Sequence, residues 1–233
     1  MSQKTARRVR RLAIVLFGLA VVITLLGGLG TTCVAFNAEN YGKAFEKFVG
    51  YKFEYQMFVY VSIVTALVGI AALWALVKGA KWSYLAALVV LIVGLATAAA
   101  QMYYTSTLKQ VSFFQTPPTN MRFYTTFGTL LVFLILRLPG IWKPVNLTGG
   151  SDSQSAGTAA GLTACVMGIV TVTTPMWAAA GHIVDGYNLV NVLAWPLALG
   201  GWAMIIGGVG TLVLAGRKVR IGHVISRLLR QRA

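Results

Sequence analysis

The residues best placed to do chemistry cluster near position 180. Pro175-Met176-Trp177 is followed by Gly181-His182-Ile183-Val184-Asp185-Gly186-Tyr187-Asn188, and then by Trp195-Pro196. A carboxylate close to an imidazole fixes its tautomer and favours its protonated form. His182 and Asp185, three residues apart in this turn, therefore form a candidate ligand site. Such a pair suits a quinone headgroup, a proton relay, or a metal completed by ligands from outside the chain. Trp177 and Tyr187 belong to the same candidate site. The plainer reading of these residues is an interfacial turn, with Trp and Tyr sitting at headgroup level.

Other chemistries find less support. Cys33 and Cys165 lie in separate apolar stretches, with no CxxC and no Cys/His cluster, so neither a zinc nor an iron–sulfur site is written in the sequence. A haem held by two histidines needs both inside the bundle. The chain has only His182, at a span end, and His223, in a basic tail that topology puts on the opposite face. No metal site and no cofactor is expected, although a quinone, or a haem shared with another subunit, is compatible with these residues. G-x-S-x-G, H-E-x-x-H and Walker A motifs are missing, so an enzyme is the weaker expectation.

The elements that must position these residues are membrane helices. Of 233 residues, 57% are hydrophobic and 11% charged, against about 25% charged in an ordinary soluble domain. Mean hydropathy is +0.74. A net charge of +15 would suggest nucleic acid in a soluble chain, but the basic residues flank apolar runs, which is a topology signal. Nucleic acid is therefore not an expected partner.

Apolar runs of membrane-spanning length are expected at Leu12–Phe36, Gln56–Val77, Trp82–Tyr104, Arg122 to Pro139-Gly140, Thr158–Ala180 and Leu189–Leu214. The first is too long for a signal peptide's apolar core of about 7–15 residues and reads as a retained signal-anchor. Between the first two runs, Tyr41, Phe45 and Phe48 recur at helical spacing, which suggests a short interfacial helix with its rings among headgroups. Pro117-Pro118 stops the third helix's extension. Gly157, Gly161 and Gly168, with Cys165, give the fifth span a stripe of small residues suited to close helix contact. The likeness of LLGGLGT (25–31) to IIGGVGT (205–211) reflects Gly-rich composition, because an inverted repeat would pair span one with span four.

The expected fold is thus all-α: a polytopic transmembrane bundle of about six spans, four plus two, with both termini cytoplasmic. Residues 1–142 form a four-helix membrane unit with a basic N-terminus, 143–157 a Gly/Ser-rich cytoplasmic linker, 158–216 a two-helix membrane hairpin, and 217–233 a basic tail. In this topology 15 of the 20 Lys and Arg lie on the inner side; Lys43, Lys47, Lys52, Lys109 and Arg122 lie on the outer side. Arg122 and Arg137 bracket span four, and Arg137 can snorkel. In the tail, Ile221, Val224, Ile225, Leu228 and Leu229 share one helical face. Arg217, Lys218, Arg220, Arg227 and Arg230 supply a membrane-surface charge, as in a helix lying on the inner leaflet.

The expected partners are the lipid bilayer and other membrane protein subunits, and the expected location is a bacterial cytoplasmic membrane. Small size, lack of catalytic motifs and small-residue stripes favour a structural or accessory subunit of a larger membrane complex, respiratory or otherwise redox. A small-solute transporter or channel is the first alternative. A membrane enzyme acting on a quinone or lipid at the His182–Asp185 turn is the second. No Asp or Glu lies within the apolar spans, which weighs against carboxylate-coupled ion transport. The topology carries a direct test at the sequon Asn146-Leu147-Thr148. Expressed in a glycosylating host, the protein should carry no glycan at Asn146; glycopeptide mapping that finds one would reverse the orientation.

Overall fold

A computed structural model of the chain describes residues 1–179, 182–184 and 186–230. Helix α1 spans Gln3–Asn37, α2 Lys52–Lys78, α3 Ser83–Lys109, α4 Thr119–Leu136, α5 Pro139–Val145, α6 Ser153–Trp177 and α7 Ala194–Arg230. Six of these, all but α5, are long and apolar enough to cross a membrane, as a multi-pass membrane protein requires. Inside a bilayer the backbone must satisfy its own hydrogen bonds, so apolar runs of this length become helices whatever their neighbours.

Helix α1 is the hub, packing against α2, α4 and α6. Its N-terminus is capped by Ser2, whose side chain accepts from the Thr5 amide. One core cluster gathers Phe17 of α1, Tyr84 of α3 and Phe133 of α4. Phe133 lies with its ring centroid 5.7 Å from Phe17 and 6.0 Å from Tyr84. The Tyr84 hydroxyl donates to the Phe133 carbonyl at 2.9 Å.

Proline ends α4 earlier than its hydropathy suggests. Leu138, ahead of Pro139, takes an extended conformation, and Pro139 opens the short α5. Arg137 stays exposed, its guanidinium 4.5 Å from the Trp142 ring on α5. The connection after α5 is docked rather than loose: Val145 and Leu147 are buried in the same cluster as Phe17. Asp152 then caps α6 by accepting from the Ser155 amide at 2.7 Å.

At this N-terminal end of the bundle three segments are clasped together. Arg10 is only 7% exposed. Its guanidinium donates to Ser151 Oγ at 2.8 Å and to the Leu76 carbonyl at 3.1 Å, one of the carbonyls that end α2. Gly79 closes α2 in the left-handed region at φ 72°, and its carbonyl accepts from the Gly150 amide at 3.0 Å.

The hairpin α6–α7 is a glycine contact. A Cβ at Gly161 would meet the Gly208 carbonyl oxygen at 2.8 Å, and one at Gly201 would meet the Gly168 carbonyl oxygen at 2.9 Å. The small-residue stripe of α6, expected from sequence to seek another subunit, is therefore covered by α7 of the same chain. The tail is helical as far as Arg230 and continues α7 without a separate element; its side chains, including those of Arg217, Lys218, Arg220, Arg227 and Arg230, lie outside the described ones.

The 37–55 connection departs from the expected interfacial helix. It forms two 3-10 segments, Ala38–Ala44 and Glu46–Tyr51, with Gly42 at φ 60° between helical turns. Phe45 and Phe48 turn inward and are buried, Phe48 lying 5.3 Å from Tyr55 of α2 in an edge contact. Removing aromatic surface from water at the bundle's end outweighs anchoring it among headgroups.

Gly79→Ala tests the clasp. The substitution needs a positive φ and puts a methyl group 2.8 Å from the Gly150 backbone. It should destabilise the folded chain by about 1–3 kcal/mol, read as a lower unfolding midpoint in detergent. Gly140→Ala, where a Cβ meets open space, is the control expected to shift it little.

Candidate functional site

At the other, distal end of the bundle, α1, α3, α4 and the α6–α7 turn surround a cavity of about 110 Å³. That is room for a few water molecules or a small headgroup. Its walls are mostly apolar and include Ile23 and Leu26 of α1, Phe45 and Phe48, Trp177 of α6, Leu193 just before α7, and Leu197 in the first turn of α7. Its polar lining includes Arg122, Gln101, Thr31 and His182, with Lys109 also on the lining.

Arg122 is the centre of this site, and it overturns an expectation. The sequence placed it among outer-side loop charges bracketing span four. In the fold α4 begins at Thr119, which brings Arg122 into its first turn, and the side chain is 1% exposed. Arg122 Nη1 donates to Ser62 Oγ of α2 at 2.8 Å. Nη2 donates to Gln101 Oε1 of α3 at 3.0 Å. Gln101 Nε2 in turn donates to Thr31 Oγ1 of α1 at 2.9 Å, and the Thr31 hydroxyl donates to the Gly27 carbonyl at 2.7 Å. One guanidinium thereby ties α4 to α2 and α3 directly, and to α1 through Gln101.

Gly27 makes room for it. A Cβ there would stand 3.2 Å from Arg122 Cδ, so the arginine stem runs against bare α1 backbone. The guanidinium is deep. Gln101 lies eight residues before the end of α3 at Lys109, or about 12 Å of helix.

The partners of Arg122 are neutral. An arginine carries five N–H donors, and two are engaged here. Nε is buried with no partner. Among the described residues no Asp or Glu lines the cavity, and the one ion pair is Lys52–Glu39 at 2.9 Å, on exposed side chains. A charged side chain costs up to about 2.5–3.5 kcal/mol at a membrane helix centre on insertion scales, and less in a first turn such as this one. Neutral hydrogen bonds offset part of that cost and leave the charge in place.

The residues singled out from sequence divide. His182 and Trp177 line the cavity. His182 Nδ1 lies 2.8 Å from the Ala178 carbonyl oxygen and Nε2 3.1 Å from the Gly30 carbonyl oxygen, so the ring bridges the α6–α7 turn to α1. Both nitrogens face acceptors. A neutral imidazole donates to one of them; only the imidazolium donates to both. Tyr187 is 76% exposed, in the two-residue hairpin pairing Val184 with Tyr187, and stands apart from the cavity. Asp185 lies outside the described residues. Cys33 and Cys165 are both free. Among the described residues, no three His, Cys, Asp or Glu side chains gather as a metal-binding group.

No protein-family model, curated protein or solved structure matches this chain. Function therefore has to be read from the site alone. The residues missed from sequence are Arg122, Gln101, Ser62, Thr31 and Lys109. A signal was present: Gln101 and Ser62 are polar residues inside apolar spans, and Arg122 follows Pro117-Pro118 closely enough to fall in the next helix. Nothing in the linear sequence shows that they converge.

The network carries its own prediction. Gln101→Leu removes one of the two partners of Arg122 and the donor to Thr31 Oγ1. It should destabilise the protein by about 1.5–3 kcal/mol, the range for hydrogen bonds to charged groups. Gln56→Leu, which deletes a bond from a part-buried amide to the Ala35 carbonyl, should cost less. Paired unfolding midpoints in the same detergent check the ordering.

Proposed function

We propose that this integral membrane protein binds a small amphiphilic molecule, lipid- or quinone-like, in the distal cavity. One observation carries the reading. The cavity has apolar walls from five segments of the chain and a compact polar floor, the combination that orients the head end of an amphiphile: the few polar groups fix the head and the walls take the carbons next to it. The excess of basic residues toward the opposite end supports an outer-side location for this end. The ligand then enters from the outer leaflet or the outer aqueous phase.

This reading takes the binding step from the lipid- or quinone-acting class and leaves out catalysis: Cys33 and His182 both line the cavity, but the His182 ring nitrogens face the Ala178 and Gly30 carbonyls instead of the thiol. It also serves a carrier that moves such a molecule. An accessory role in a larger complex loses one of its supports, because the α6 stripe is covered by α7.

The test uses single-chain amphiphiles with a mid-chain photoactivatable group, supplied as the acid and as the alcohol to the full-length protein in membranes. Adducts should concentrate on cavity residues Ile23, Leu26 and Leu197, and filling the cavity by Leu26→Trp should remove them. If both probes label only exposed apolar positions such as Ile206 and Val209 of α7, the cavity is not a binding site and the reading fails.

A further inference from the structure

Resting on the amphiphile-binding reading above, the geometry points to an anionic headgroup, a carboxylate or phosphate, held against Arg122 with Lys109 as a second cation on the cavity lining. Three observations converge. The first is charge. Arg122 is fully enclosed, its two hydrogen-bond partners are the neutral Ser62 and Gln101, and among the described residues the cavity has no carboxylate. A buried cation is ordinarily paired with an anion; here the pocket beside it holds the place where that anion fits.

The second is donor geometry. Arg122 Nε is buried without a partner while the residue lines the cavity. A planar guanidinium with free N–H groups matches two oxygens of a carboxylate or phosphate, and such charge-assisted bonds are about twice as strong as neutral ones. Ser62 and Gln101 fix the two Nη atoms from α2 and α3, so the fork is set before a ligand arrives.

The third is the sign of the whole lining. Lys109, at the end of α3, lies with its ammonium 5.6 Å from the Phe45 ring centroid and 5.8 Å from that of Phe48. Among the described residues it is the other Lys or Arg on the cavity lining, and as the last residue of α3 it lies farther toward the end of the bundle than Gln101. A deep cation and a shallow one, in a low-dielectric setting, attract one anionic group and repel cations. The apolar lining residues, Ile23, Leu26, Trp177 and Leu197 among them, receive the carbons next to the head.

The experiment compares ligands sharing one chain but differing in head: fatty carboxylate, alkyl phosphate, fatty alcohol and methyl ester, with inorganic phosphate alone as a further arm. Each competes against the photoactivatable acid on the native full-length protein at mildly alkaline pH. The carboxylate and the alkyl phosphate should displace it at concentrations at least about tenfold lower than the alcohol or ester, the factor expected from charge-assisted bonds. Inorganic phosphate should fail to displace it. Arg122→Gln should bring acid and alcohol to within about threefold of each other, with alcohol labelling of Ile23 and Leu26 preserved; Arg122→Lys should keep part of the preference.

Equal displacement by acid and alcohol on the native protein overturns the anionic headgroup, while cavity adducts would still support an amphiphile. Displacement by inorganic phosphate alone overturns the requirement for a tail. Absence of cavity adducts from either probe sinks the underlying reading instead. Should Arg122→Gln fail to fold, Gly27→Ala decides: its methyl crowds Arg122 Cδ, so it should weaken the acid and spare the alcohol, and an equal effect on both counts against Arg122 as the anchor.

Discussion

A guanidinium enclosed by apolar helices and almost wholly removed from solvent must be held by hydrogen bonds. Arg122 meets that requirement through Ser62 and Gln101, and Gln101 passes the connection to Thr31 and the backbone of Gly27. The distal half of the bundle is arranged around this demand. Helix α1 keeps a glycine where the arginine stem passes, α2 and α3 present their polar side chains at one level, and α4 starts early enough to carry Arg122 inward. Removing any of these would leave a buried polar group short of a partner, which costs more than the bond itself contributes.

The N-terminal end solves a different problem with the same residue type. There Arg10 donates to the carbonyl end of α2 and ties it to Ser151 of the α5–α6 connection. That guanidinium has protein acceptors on both Nη atoms and the carboxylate of Asp152, the α6 cap, close enough to act on it electrostatically. The contrast between the two arginines is informative. Arg10 completes a structural clasp between segments of the chain. Both leave Nε unpartnered, but only Arg122 lies on the cavity, and its hydrogen-bond partners are neutral, which is why the two are assigned different roles.

Between these ends the helices associate by shape. In lipid the hydrophobic effect offers little reason for one apolar helix to prefer another over acyl chains, so close packing and small residues decide. The α6–α7 pair shows this directly, with Gly161 and Gly168 set against Gly208 and Gly201. His182 then fastens the distal tip of that pair to α1, so the wall of the cavity formed by Trp177, Leu193 and Leu197 is positioned by one polar bridge and a patch of apolar contact with Val22, Ile23 and Leu26.

The limits of the long apolar helices, and where each stops, were legible in the linear pattern. Gly79 ends α2, Pro117-Pro118 separates α3 from α4, and Leu138-Pro139 ends α4. These outcomes are local: an apolar run in a bilayer has to satisfy its own backbone, and proline and glycine act on their own turn. His182 and Trp177 were also visible as chemistry-bearing residues near a span end.

Only the tertiary structure decided which face of each helix looks inward. It alone brought Thr31, Ser62, Gln101 and Arg122 to one point, turned Phe45 and Phe48 under the distal end, and put Tyr187 outside. The physical reason lies in the solvent. A helix in water marks its buried face by a change from polar to apolar residues. A helix in lipid is apolar on both sides, so the linear pattern carries little record of which side meets protein and which meets acyl chains.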